Sequence, residues 1–141
     1  MKRTVGEFMT KDLIVLEEYE NLGDVGRDLE RYSLRHLPVV DGKKLVGMVS
    51  HRDFLRFTAS SLEGGSAALR DENLKEQTFV GAVMTRDVET VTPDTPILGA
   101  ATKLLKHRFG CLPVVDAQGD LVGIVSEHDI LREMVLILAE Q

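Results

Sequence analysis

Two short stretches carry the residues most suited to chemistry: Gly47-Met48-Val49-Ser50-His51-Arg52-Asp53 and Gly123-Ile124-Val125-Ser126-Glu127-His128-Asp129. Both read G-x-V-S-x-x-D, an apolar run ending on a serine with an aspartate three positions on. Ser-x-x-Asp after a strand resembles a capping box, in which hydroxyl and carboxylate take up N–H groups that an opening helix leaves unpaired. The same corner has a second use. A helix N-terminus offers free N–H groups and a partial positive charge to an anion. A carboxylate beside it can accept two hydrogen bonds from the vicinal hydroxyls of a ribose. One corner thus admits two readings, a helix cap and part of a nucleotide site.

Basic residues gather near these corners although the formal net charge is −6. Arg35, His36, His51, Arg52 and Arg56 fall near the first, and His107, Arg108, His128 and Arg132 near the second. Any one of them can simply solvate a helix face. As a set they suit phosphate, for which arginine supplies paired donors.

Other chemistries find no footing. His51-x-Asp53 and His128-Asp129 bring no third ligand at a recognisable metal-binding spacing. Ser50 and Ser126 are placed at helix caps and not in a G-x-S-x-G elbow. Neither a P-loop nor a G-x-G-x-x-G stretch is present. Cys111, four residues after His107, reads as a packing residue beside a strand. No catalytic residue, metal site or catalytic cofactor is expected.

The elements that must position the corners occur twice. VGEFMTKDLIVLEE from Val5 is answered by VGAVMTRDVETVTP from Val80, and HLPVVDGKKLVGMVSHRDFLRF by CLPVVDAQGDLVGIVSEHDILREM. Met9 and Met84, like Pro38 and Pro113, are 75 positions apart; Asp53 and Asp129 are 76 apart, so one residue entered a hairpin loop. Such repetition sets the architecture. Each copy reads β-α-β-β-α. A short strand is expected at Leu13–Leu16 and at Val88–Val91. In copy two, Thr95 as N-cap and Pro96 at the first position open a helix, followed by Ile97, Ala100, Ala101, Leu104 and Leu105 at helical spacing. Copy one has Leu22, Val25, Leu29 and Tyr32 on the matching face. Gly26 stands where copy two has Ala101, either weakening that helix or admitting a close neighbour. Asp41-Gly42 marks a hairpin, and Pro38 and Pro113 are placed at strand starts. The divisions are a first repeat at 1–60, a linker at 61–78 and a second repeat at 79–141. The linker's break at Glu63-Gly64-Gly65-Ser66 should end the helix begun at Ser50.

Composition narrows the classes. A repeat of this size is marginal alone, so the copies should share a core. The acidic balance argues against nucleic acid, and the absence of Trp against an aromatic platform for single strands. A single cysteine excludes an intramolecular disulfide and points to a reducing compartment. The N-terminus lacks a signal-peptide core, and Met134–Ala139 is too short to span a bilayer. A soluble, cytoplasmic protein is expected. Met134 to Leu138 make the last helix apolar nearly all round, which calls for cover by a partner, most simply a second copy.

MT-x-x-x-x-TV-x-P-x-T-P, LPVVD and G-x-V-S-x-x-D, given twice, together resemble a tandem pair of CBS domains, a Bateman module. The resemblance covers nearly the whole chain outside the linker. It implies an α/β (α+β) fold of two pseudo-symmetric β-α-β-β-α repeats packed through their sheets. It also implies clefts that bind AMP, ADP, ATP or S-adenosylmethionine. By similarity, Asp53 and Asp129 would hold ribose hydroxyls, and Ser50 and Ser126, with Arg52 and His128, would face phosphate. Ile14 and Arg35, His36, Leu37 and Pro38 would border adenine in one site. Glu89 and Gly110, Cys111, Leu112 and Pro113 would do so in the other. Such modules commonly form flat dimers. The expectation is a stand-alone, non-catalytic regulatory sensor with an unknown regulated partner; the alternative is a constitutive adaptor whose clefts are vestigial.

The copies match that pattern unequally. Where copy two has Thr92-Pro93-Asp94-Thr95-Pro96, copy one has Glu17-Glu18-Tyr19-Glu20-Asn21, without prolines and with added carboxylates. Copy one has Arg35-His36 where copy two has Gly110-Cys111. The sites should therefore differ in affinity.

Overall fold

A computed structural model describes residues 3–31, 36–55, 78–107 and 110–141. In chain order the elements are α1 (Val5–Phe8), β1 (Leu16–Glu17), α2 (Leu22–Arg31), β2 (His36–Asp41) and β3 (Lys44–Ser50). A helix α3 over 51–55 follows. Then come a 3-10 turn (Val80–Ala82), α4 (Ile97–His107), β4 (Cys111–Val115), β5 (Leu121–Ser126) and α5 (Glu127–Ala139). The mixed α+β architecture agrees with the sequence reading. Expectations for the linker and the end of α3 lie outside the described residues.

The chain forms two compact units: a central one, Ile14–Val88, and a terminal one that joins Met1–Leu13 to Glu89–Gln141. Repeat and unit are different divisions. The opening segment of each repeat is built into the body of the other, and the repeated Met-Thr pair does the joining. Thr10 and Ile124 exchange two backbone hydrogen bonds of 2.9 Å, as do Thr85 and Met48. The glycine of each G-x-V-S run allows this approach. A Cβ on Gly47 would lie 2.6 Å from Met84 Sδ and 2.9 Å from the Thr85 carbonyl; on Gly123 it would meet Met9 Sδ at 2.5 Å.

In the central unit β1 runs parallel to β2, and β2 antiparallel to β3, with Leu16 opposite Val39 and Val39 opposite Gly47. The terminal unit repeats the hairpin as β4–β5 with Val114 opposite Gly123, and the register slips by one residue at the same place in both. The strand expected at Val88–Val91 reduces to one parallel bridge, Val91 with Val114. Its counterpart is Leu16–Glu17, so Ile14 and Val15 precede the strand and are exposed. Gly42 takes the positive φ of 64° that the tight hairpin needs. In the longer loop Gly119 does so at 84°, and Asp116 Oδ1 accepts from the amides of Gln118 and Asp120.

Pro38 and Pro113 are each the third residue of their strand, not the first. The ladder tolerates them because their cross-strand partners, Met48 and Ile124, spend both backbone bonds on Thr85 and Thr10. Thr95 also departs from expectation: its hydroxyl bonds the Thr92 amide at 3.0 Å, and the Pro96 carbonyl accepts the first helical bond, from Ala100. Leu105 is 81% exposed and lies off the buried face of α4.

Each unit buries its own core: Leu16, Leu22, Val25, Leu37, Val39, Val49, Val80 and Met84 in the central unit, and Val5, Phe8, Val91, Ala100, Leu104, Leu112, Val114, Val125 and Ile130 in the terminal one. The α5 helix turns Ile130 and Glu133 inward and leaves Leu131, Met134, Val135, Leu136 and Leu138 exposed. Arg3 offsets the buried Glu133 carboxylate, donating to it at 2.5 Å and to Glu140 at 2.9 Å.

Candidate functional site

Both G-x-V-S-x-x-D stretches fold as strand-to-helix corners. In the central unit Ser50 ends β3 directly opposite His36, the first residue of β2. The Ser50 amide donates to Asp53 Oδ2 and the Asp53 amide to Ser50 Oγ, both at 3.0 Å. This is the capping box read from the spacing. Asp53 is half-buried, and His51 and Arg52 are exposed. Leu37 and Pro38 are buried, so only their backbone is available to a ligand. Ile14 is 37% exposed. Arg35 lies outside the described residues.

The terminal corner adds partners. Ser126 lies opposite Cys111. Its amide donates to Asp129 Oδ2 at 2.9 Å, and the Asp129 amide donates to Ser126 Oγ at 3.2 Å. The Glu127 amide donates to the Gly110 carbonyl at 3.1 Å. Arg132 Nη2 donates to Asp129 Oδ1 at 3.0 Å, so both carboxylate oxygens are engaged. The Asp129 carboxylate is almost fully buried, and His128 is exposed beside it. Leu112 and Pro113 again offer only backbone. Glu89, expected at this site, faces the end of α4, 3.6 Å from Lys103 Nζ and 3.7 Å from His107 Nε2.

The charge at this corner registers on Cys111. Burial, then the Asp129 and Glu127 carboxylates, push its thiol from 9.0 up to about 12. It is therefore a neutral packing group and not an activated nucleophile. Two of the carboxylates that copy one carries in place of the proline segment of copy two have partners within the protein. Glu18 pairs with Arg86 at 3.3 Å, and Glu20 Oε1 accepts from the Glu17 amide at 3.2 Å.

Two features escaped the reading of the motifs. Arg132 bonds directly to Asp129, signalled by a shared S-x-x-D-x-x-R spacing that also contains Ser50, Asp53 and Arg56. The Met-Thr pair and the motif glycine form one contact, signalled only by their joint repetition. Among the described residues, no group of three or more His, Cys, Asp or Glu is placed to hold a metal ion, and no helix is long and apolar enough to cross a membrane.

The family model for the CBS domain matches residues 5–60 and 80–136. The crystal structure of CBSX2 in complex with AMP is 33% identical, covers 96% of this chain and 98% of that one, and superposes with a TM-score of 0.81; CBSX2 is a CBS-pair protein from Arabidopsis thaliana. The CBS domain pair of protein MJ0100, in complex with 5'-methylthioadenosine and S-adenosyl-L-methionine, is 27% identical over 93% of this chain and 98% of that one, with a TM-score of 0.75. Homoserine O-acetyltransferase of Methanococcoides burtonii is 32% identical over 130 residues, 92% of this chain and 24% of that protein. This chain spans between 22% and 46% of the length of five curated relatives that it matches.

Proposed function

The chain belongs to the CBS-domain family, and on that premise we propose that it is a non-catalytic regulatory sensor of adenosine-containing ligands. One observation carries the reading: the similarity to a CBS pair crystallised with AMP extends over 96% of this chain and 98% of that one. The MJ0100 pair, with methylthioadenosine and S-adenosylmethionine, widens the class to adenosine ligands generally. A relative named as an enzyme, the homoserine O-acetyltransferase, supports a regulatory role, since this chain matches only 24% of it.

In the proposed sites Asp53 and Asp129 take the ribose hydroxyls. Ser50 with Arg52, and Ser126 with His128, face the phosphate. Ile14 with Arg35–Pro38, and Glu89 with Gly110–Pro113, border the base. Binding acts by linkage: a ligand that favours one arrangement shifts the population toward it, and a partner protein reads the change. The module works as a homodimer in the cytoplasm. Support for the dimer is the apolar surface on two helices of the terminal unit, with Leu98, Leu105, Leu131 and Val135 all at least 60% exposed.

The adaptor reading has one observation in its favour, the engagement of both Asp129 oxygens by the protein's own groups. A thermal-shift panel of AMP, ADP, ATP, S-adenosylmethionine and NAD separates the two. Ligand at about 100 times Kd adds about 2.7 kcal/mol, which raises Tm by roughly 9 °C for a chain of this length. Silence from every ligand, in protein shown to be ligand-free, would favour the adaptor. Asp53→Ala and Asp129→Ala then assign the sites, and parental binding by both would remove the ribose assignment.

A further inference from the structure

We propose that Arg132 makes the terminal corner selective for phosphorylated adenosine ligands over neutral ones. The proposal rests on the reading of that corner as a ligand site. Arg132 is half-exposed, whereas the carboxylate it bonds is almost fully buried. Side chains of a helix lean toward its N-terminus, so the guanidinium reaches back over the first turn of α5. One of its donors holds Asp129 Oδ1. Guanidinium carries five donors in a rigid fork, and among the described residues the others have no partner. The same group can therefore bond inward to a carboxylate and outward to an anion.

Charge makes this arrangement necessary for a phosphate. The first turn of α5 carries two acids, Glu127 and Asp129. An incoming phosphate would meet both, and the cation within bonding distance of the Asp129 carboxylate is Arg132. A ribose without phosphate has no such need, because its hydroxyls are drawn to the carboxylate in either case.

Capping alone does not call for the arginine. The serine and the aspartate complete the box, and a cation drawn toward a helix N-terminus opposes the helix dipole. Yet the sequence places arginine three positions after the aspartate in both copies, at Arg56 and Arg132.

Calorimetric titration of AMP and adenosine, with Asp53→Asn present throughout, reads the terminal corner. AMP should bind more tightly than adenosine. Arg132→Gln should weaken AMP by roughly tenfold or more while adenosine changes by less than about threefold, and Arg132→Lys should fall between, retaining charge without the fork. An equal loss for both ligands would make Arg132 a structural support of Asp129 and overturn the proposal. So would an unchanged ratio. If Arg132→Gln fails to fold by circular dichroism, the Lys variant decides by the same ratio. If the Asp53→Asn chain takes no AMP while the unaltered chain does, the inference fails and the sensor reading stands. If the unaltered chain binds neither, both fall.

Discussion

The central and terminal units fill one position in their cores with opposite choices. Gly26 of α2 lies against the Phe54 ring, where a Cβ would come within 2.6 Å of Cζ. The matching positions in the terminal unit hold Ala101 on α4 and Ile130 on α5, both part of that unit's core packing. Small beside large has become medium beside medium. The turn before the helix shows the same substitution in hydrogen bonds: Glu17 N–H to Glu20 Oε1 in one unit, Thr92 N–H to Thr95 Oγ1 in the other. At the turn the residues thus change while the bond they make persists. At the corners the serine and aspartate themselves persist, with their reciprocal bonds intact. What varies there is the surroundings, with His36 opposite Ser50 but Cys111 opposite Ser126.

The largest effect should come where the units agree. Gly47→Ala drives a Cβ against Met84 Sδ and the Thr85 carbonyl at 2.9 Å; in Gly123→Ala the corresponding Thr10 carbonyl lies at 3.1 Å. A methionine side chain can give way, but a carbonyl paired to its neighbour strand cannot. Gly47→Ala should cost about 3 kcal/mol and Gly123→Ala about 2 kcal/mol, as overpacking of a tight contact does. Urea unfolding measures both. Losses below about 1 kcal/mol would mean that the Met-Thr segment is not locked onto its strand.

Much of this was legible because the chain repeats. Two hairpins, two capping boxes and the glycine of the tight turn follow from residue type and spacing. The exchange of opening segments between repeat bodies did not. It depends on backbone bonds from Thr10 to Ile124 and from Thr85 to Met48, and backbone pairing leaves no side-chain pattern. Pro38 escaped for a related reason, since its tolerance depends on where Met48 directs its own bonds. At the site, the Ser-x-x-Asp bonds were readable because they are local. Glu89 was not, because its basic neighbours Lys103 and His107 stand on a separate element, α4.

A pH titration sharpens the difference at the corners. Folding holds the Cys111 thiol protonated, at about 12 against 9.0. The unfolded chain therefore loses this proton first, and the native state is fully favoured below about pH 9. Stability should fall between about pH 9 and 12, at about 1.4 kcal/mol per pH unit once the unfolded thiol is ionised. At pH 10 the loss is about 1.4 kcal/mol. Urea midpoints at pH 7.5, 9 and 10 for the parent and Cys111→Ala isolate the contribution. The variant should carry a constant packing loss and a flatter pH dependence. Parallel curves would show that burial and the two carboxylates do not hold the proton.

The smallest effect tests whether the exchanged core residues are coupled. Gly26→Ala gains up to about 1 kcal/mol of helix propensity but meets the Phe54 ring, and overpacking of about 1–3 kcal/mol should leave it about 1 kcal/mol less stable. Phe54→Ile alone should also destabilise, by removing the atoms that fill the space above Gly26. The double variant recreates the Ala101–Ile130 pair in the central unit. Its alanine occupies volume the ring has vacated, so it should exceed the sum of the single changes by about 1 kcal/mol, well beyond the roughly 0.3–0.5 kcal/mol within which independent sites add. Ala101→Gly with Ile130→Phe runs the exchange in reverse. A favourable coupling in the central unit alone would show that the terminal unit holds its helices at a spacing of its own. Additivity in both would mean that the complementary volumes arose without compensating each other.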